Sequence, residues 1–198
     1  MIDPGELDEQ VLILGIKQEG TAYSWENVST VWAKAEPQTG KNLFSAVGIG
    51  TKSVKFTIWK QDLTLHNAFR WRGKHCFLTD ITEVDCLFYE VTAALIEPKS
   101  CTVKRIPQQE KDELKRPKKS EPQVIMAFPG CLTEKYMGFS KLNPQAQTDA
   151  QYVLVTPKEI GLKIADLVTV GDTTYNVQIA HELDEFKNEY EIAVNKEA

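Results

Sequence analysis

Apolar residues recur at every second position in several short runs of this chain, the period a β-strand imposes. Across residues 53–60, Val54, Phe56 and Ile58 alternate with Lys55, Thr57 and Trp59. Residues 25–36 alternate toward their end, with Val31, Ala33 and Ala35 on one face and Trp32, Lys34 and Glu36 on the other. Pro37 is expected to stop that strand. Residues 10–17 hold Val11, Leu12, Ile13 and Leu14 and read as a further strand, followed by a polar turn over 18–24. Residues 123–128 and 151–156 are strands on the same grounds. Residues 129–149 read as irregular, and 157–166 as a turn. Asp3-Pro4 can open one helical turn at the start.

Residues 69–93 and 167–194 repeat one arrangement. Each has a short apolar approach, a glycine (Gly73, Gly171) and an aromatic four positions on (Phe77, Tyr175). Phe77, Thr79 and Ile81 then match Tyr175, Val177 and Ile179. After an acidic turn, Tyr89, Val91 and Ala93 match Tyr190, Ile192 and Val194. A glycine between two such runs supplies the backbone freedom of a tight hairpin. The expected fold is therefore mainly β, with two small antiparallel β-barrel or sandwich modules in tandem, residues 1–97 and 123–198. Residues 98–122 form an extended linker between them.

The linker is set apart by composition. Residues 97–122 hold eight Lys or Arg against five Asp or Glu, with four prolines. That pattern belongs to a solvated linker or arm. Residues 39–51, between two strands, carry Leu43, Phe44, Val47 and Ile49, apolar residues that an undocked loop would expose. Partner contacts are expected from this loop through Thr39, Lys41, Leu43, Phe44, Val47 and Ile49. The arm would add Lys104, Arg105, Lys115 and Arg116. The net charge of −5 argues against a general nucleic-acid binder. No apolar run approaches a bilayer span and no basic signal segment opens the chain, so no membrane association is expected. Cysteines 76, 86, 101 and 131 form no C-x-x-C pair and read as free thiols.

Residue chemistry gives no catalytic signature. His66, His75, Cys76 and Cys86 match no zinc spacing, and His75 and Cys76 are neighbours that a strand points to opposite faces. Gly48-Ile49-Gly50 leads into a strand, where a phosphate cradle leads into a helix. Asp184, Glu185, Glu189 and Glu191 are expected on a hairpin tip and an outward face. In Phe69-Arg70-Trp71-Arg72 aromatic and basic residues interleave as in single-strand binders, but the alternation turns the aromatics inward. No enzyme activity, metal or cofactor is expected.

Four segments in order resemble the head-tail joining proteins of tailed bacteriophages, also called head closure or head-tail connector proteins. They are the opening MIDPGELDEQVLI, the segment VSTVWAKAEPQTG at 28–40 behind Trp25, VKFTIW at 54–59 and FRWRGKHCFLTDI at 69–81. The resemblance covers residues 1–97. Asp8 and Glu9 stand where the family usually carries basic residues, and the second module is extra, a diverged duplicate. The resemblance implies a structural virion protein of the phage neck, assembled in the host cytoplasm as a homo-oligomeric ring that closes the DNA-filled head. Its partners would be a portal or adaptor protein above and a tail terminator or tail tube protein below, with non-specific contact to packaged DNA. Twelve stacked copies fit better than six, because the second module lacks a counterpart of the VSTVWAKAEP strand. Alternatives are a tail completion protein of the same particle and a small-barrel binder of single-stranded nucleic acid.

Overall fold

The computed structural model describes residues 4–42, 45, 51–107, 121–135 and 152–195, and these are almost wholly β. A 3-10 turn at Pro4–Glu6 precedes the first strand, as its proline leads one to expect. Twelve strands follow: β1 (Glu9–Glu19), β2 (Ala22–Asn42), β3 (Thr51–Trp59), β4 (Ala68–Trp71), β5 (Lys74–Val84), β6 (Phe88–Leu95), β7 (Lys99–Arg105), β8 (Gln123–Glu134), β9 (Tyr152–Pro157), β10 (Leu167–Val170), β11 (Thr173–His181) and β12 (Lys187–Val194). All belong to one hydrogen-bonded sheet.

The pairings form two circuits. From β1 they lead through β2, β3, β6, β5 and β4 back to β1. From β7 they lead through β8, β9, β12, β11 and β10 back to β7. Every pair within a circuit is antiparallel, and the registers correspond residue by residue. Ala68 opposite Phe77 becomes Leu167 opposite Asn176, each 99 positions on. Val54 opposite Ala93 becomes Tyr152 opposite Ile192, 98 and 99 on. Val11 opposite Trp71 becomes Cys101 opposite Val170, 90 and 99 on. Even the bulges coincide, after Ile13 and Val103 and after Leu78 and Val177. A bulge re-aims every side chain beyond it, so shared bulges keep the two inner faces equivalent.

Several sequence expectations are corrected. Pro37 does not end β2, which pairs with β3 as far as Asn42. Beyond Ala33 the strand has left β1, so a nitrogen without hydrogen can face the open side. Pro129 likewise lies inside β8, which pairs with β7 up to Gly130 and with β9 from Cys131. Residues 125–134 are thus the counterpart of 28–37 that the sequence reading leaves missing. Residues 99–105, expected to open a linker, are β7, with Cys101 and Val103 fully buried. Of the rest of that segment, 108–120 lie outside the described residues.

The hairpin glycines are offset by one. Arg72 and Gly73 both have positive φ (50° and 75°), as a type I′ turn requires. In the second hairpin Gly171 (φ 60°) is the first turn residue, as in type II′. Tyr175 therefore corresponds to Cys76, and Phe77 to Asn176.

Each circuit closes on an apolar core. The first packs Val11, Ile13, Ala33, Val54, Phe56, Ile58, Phe69, Trp71, Cys76, Leu78, Val91 and Ala93, under Leu63 of the β3–β4 connection. Phe56 meets Phe69 and Trp71 edge-on at 5.4 and 5.7 Å. The second packs Cys101, Val103, Phe128, Leu154, Val168, Val170, Tyr175, Val177, Tyr190 and Ile192, under Ile160 and Leu162. Large and small residues change places between the cores. Phe56 opposite Val91 becomes Leu154 opposite Tyr190, and Trp71 with Cys76 becomes Val170 with Tyr175. Such exchanges conserve volume, which a core tolerates best. The Tyr190 hydroxyl donates to the Ile160 carbonyl (2.9 Å) and accepts from the Leu162 N–H (3.0 Å), fixing the β9–β10 connection over the core.

Candidate functional site

The outward face of β5 carries Phe77, whose row includes Leu14, Ala68 and Ala94, all buried although they point away from the first core. What covers part of this row is the second circuit. Phe77 and Ala94 pack with Cys131, Val153 and Val155 from the outward face of β8 and β9, with Ile96 at the margin. The long β1–β2 hairpin adds a second contact. Ala22 forms a parallel bridge with Ala127, whose N–H donates to the Thr21 carbonyl at 3.0 Å. A third lies between connections, where His66 meets Glu159 (3.5 Å) and the Phe186 ring (5.1 Å). Burial of Phe77 alone removes an aromatic side chain from water, worth about 1.5–3 kcal/mol.

Beside this seam stands an ionic cluster. Glu189 and Glu191 point outward from β12 but are 3% and 4% exposed. The Ser45 hydroxyl donates to Glu189 at 2.8 Å, and Lys187 stands 3.3 Å away. Glu191 accepts from Lys135 and pairs with His181 Nε2 at 2.9 Å. Burial pushes the Glu191 carboxyl up, but the hydrogen bonds from Lys135 and His181 together outweigh it and hold the carboxyl below its usual range. Both glutamates belong to the group expected on a hairpin tip and an outward face. They are outward, and the chain covers them.

Four of the residues expected to contact partners lie among the described residues. Thr39 and Lys41 lie on the last part of β2, with Thr39 exposed. Leu43, Phe44, Val47 and Ile49 lie outside the described residues. Ser45 of the same loop is 1% exposed and bonded to β12 of its own chain. Lys104 is exposed on β7. Its neighbour Arg105 makes a bidentate pair with the buried Asp166, 2.6 Å on each arm. Lys115 and Arg116 lie outside the described residues. Among the described ones, Thr39 and Lys41 lie on β2 and Lys104 and Arg105 on β7, with β8 between the two strands.

Sequence reasoning missed the seam and the cluster. Phe77 on the outward face of a strand was the one signal for the seam, and the assumed register hid it. On the outer face of β2, Val28 and Trp32 are 66% and 57% exposed. Burial pushes the Cys76 and Cys131 thiols up to about 12 and Cys101 up to about 11, so all three are protonated at neutral pH. His75 and Cys76 point to opposite faces of β5. No group of three or more His, Cys, Asp or Glu gathers as a metal would require among the described residues. Comparison with protein-family models, with curated proteins and with solved structures finds no match to this chain.

Proposed function

We propose that the chain is two small β-barrels in tandem, a duplicated unit with its boundary near Pro98, and that it works as a structural spacer assembling into a ring. The observation that carries this is the agreement of the two pairing circuits, bulges included. A closed circuit leaves few free edges, and the apolar seam couples the two units into one stiff block. Stiffness and repeated geometry suit a connector better than a site that must open and close.

The resemblance of residues 1–97 to phage head-tail joining proteins supplies the rest of the proposal. The ring would sit in the neck of a virion, between a portal or adaptor protein and a tail terminator or tail tube protein. Twelve copies remain the proposed number, for a different reason than the missing strand. The outward row Leu14, Ala68, Phe77, Ala94 of the first unit is replaced in the second by Lys104, Leu167, Asn176, Ala193. Two units with such different flanks cannot alternate in one layer with equivalent contacts, so stacking follows. Val28 and Trp32 of the first unit are the proposed lateral contact. The test is negative-stain imaging of the purified protein mixed with the portal protein of its own particle. Rings bound coaxially to portals support the reading. Salt-sensitive binding of single-stranded oligonucleotides without portal binding would replace it with the nucleic-acid alternative.

A further inference from the structure

His75 is the buried polar side chain that the fold leaves least accounted for. It is 2% exposed, and both ring nitrogens lack a hydrogen-bond partner among the described residues. It shares the outward face of β5 with Phe77, two positions on, which is the centre of the seam. Trp25, from the hairpin that reaches the second circuit, packs beside the imidazole at 5.3 Å between ring centroids, with the rings tilted at 52°. The backbone on either side is tied in. The Ile96 N–H donates to the His75 carbonyl at 3.2 Å, and the His75 N–H donates to Glu97 at 3.4 Å.

We propose that His75 is a proton-operated latch on the seam: the neutral imidazole lets the β1–β2 hairpin lie closed over β5, and the imidazolium lifts the hairpin and opens the bridge to β8. The physical cause is desolvation. An imidazolium needs an acceptor at each nitrogen, and the described residues supply neither nitrogen with one. The surrounding charges do not compensate. Arg70 on β4 repels a proton there. Glu97, after β6, accepts from the His75 backbone N–H and makes no bond to the ring. From β2 the contact is the Trp25 ring. The second circuit presents Cys131, Val153 and Val155 to the neighbouring Phe77. Burial first and Arg70 second bring the His75 pKa down to about 4. Opening returns the imidazole to water and its ordinary value of about 6.5, so protons favour the open form between those values. This latch stands independently of the phage reading.

The test is amide hydrogen exchange at Ala127 in the full-length protein, corrected for intrinsic rates. Protection at Ala127 should fall roughly 20-fold from pH 7 to pH 5, the ratio expected for a group titrating near 6.5 when open and near 4 when closed. Protection at Val91 in the first core should not follow it. His75→Phe should hold Ala127 protection at pH 5 within about twofold of its pH 7 value. His66→Gln and His181→Gln should keep the wild-type drop. A drop that persists in His75→Phe, or no drop in the wild type, overturns the proposal. If His75→Phe does not fold, the wild-type imidazole is titrated by NMR, and a His75 titration that leaves Ala127 unmoved overturns it equally.

Discussion

Gly130 shows how finely the two cores are fitted. It occupies the place that Ala33 holds in the first circuit, 97 positions earlier. A Cβ there would stand 2.8 Å from Leu154 Cδ1 and 3.0 Å from Cys101 Sγ. Phe128, larger than its counterpart Val31, together with the Leu154 and Cys101 side chains fills the space that a methyl group would need. Gly130→Ala is expected to destabilise the protein by about 1–3 kcal/mol through overpacking, read from the urea midpoint at unchanged slope. Glu191 makes a second residue-scale prediction. Its carboxyl titrates lower in the folded chain than the ordinary value of 4.5. Its contribution is therefore fully present above about pH 4.5 and is lost as pH falls through the lowered folded value. Stability measured against pH should show this acid limb in the wild type. Glu191→Gln should flatten that limb and lower stability at pH 7, because Lys135 loses its carboxylate. An unchanged acid limb in the variant would mean that Glu191 does not couple to folding.

Strands were the most legible elements because alternation is local. Val54, Phe56 and Ile58 face the core as their spacing requires, and Phe69 and Trp71 are buried with Arg70 exposed between them. The repeat was legible too, but its register was not. Gly73 and Gly171 look equivalent in sequence, yet one is the second residue of its turn and the other the first. That single step exchanges inside for outside, which is why Phe77 was matched with Tyr175, a core residue, although it lies on the outward face. The continuation of β8 beyond residue 128 was hidden by Pro129, whose tolerance depends on which neighbour lies beside it. The buried pair Glu189 and Glu191 was illegible for the same non-local reason, since its cover comes from Ser45 and Lys135 far away in the chain. At the level of elements the sharpest prediction concerns β2. Trp32 points away from the core and is more than half exposed. Trp32→Ser should leave the thermal midpoint within about 2 °C, since exposed substitutions rarely exceed 0.5 kcal/mol. It should abolish ring formation in sedimentation. Normal rings from this variant would remove β2 from the lateral contact.

The whole molecule combines two units of one build that do not share one surface. Where the first unit carries Phe77 and Ala94, it is covered by Cys131, Val153 and Val155 of the second. The matching row on the second unit carries Lys104 and Asn176, so the internal contact does not propagate from chain to chain through the same chemistry. The proposed assembly would therefore use other faces, and in its stacked arrangement each layer of the ring would consist of one kind of unit. The account's central claim is a closed ring of twelve chains, and native mass spectrometry of the purified full-length protein tests it most directly. The account predicts a dominant species of twelve chain masses with no ladder of intermediate sizes. A single-chain mass at every concentration, or a species of six, would contradict it.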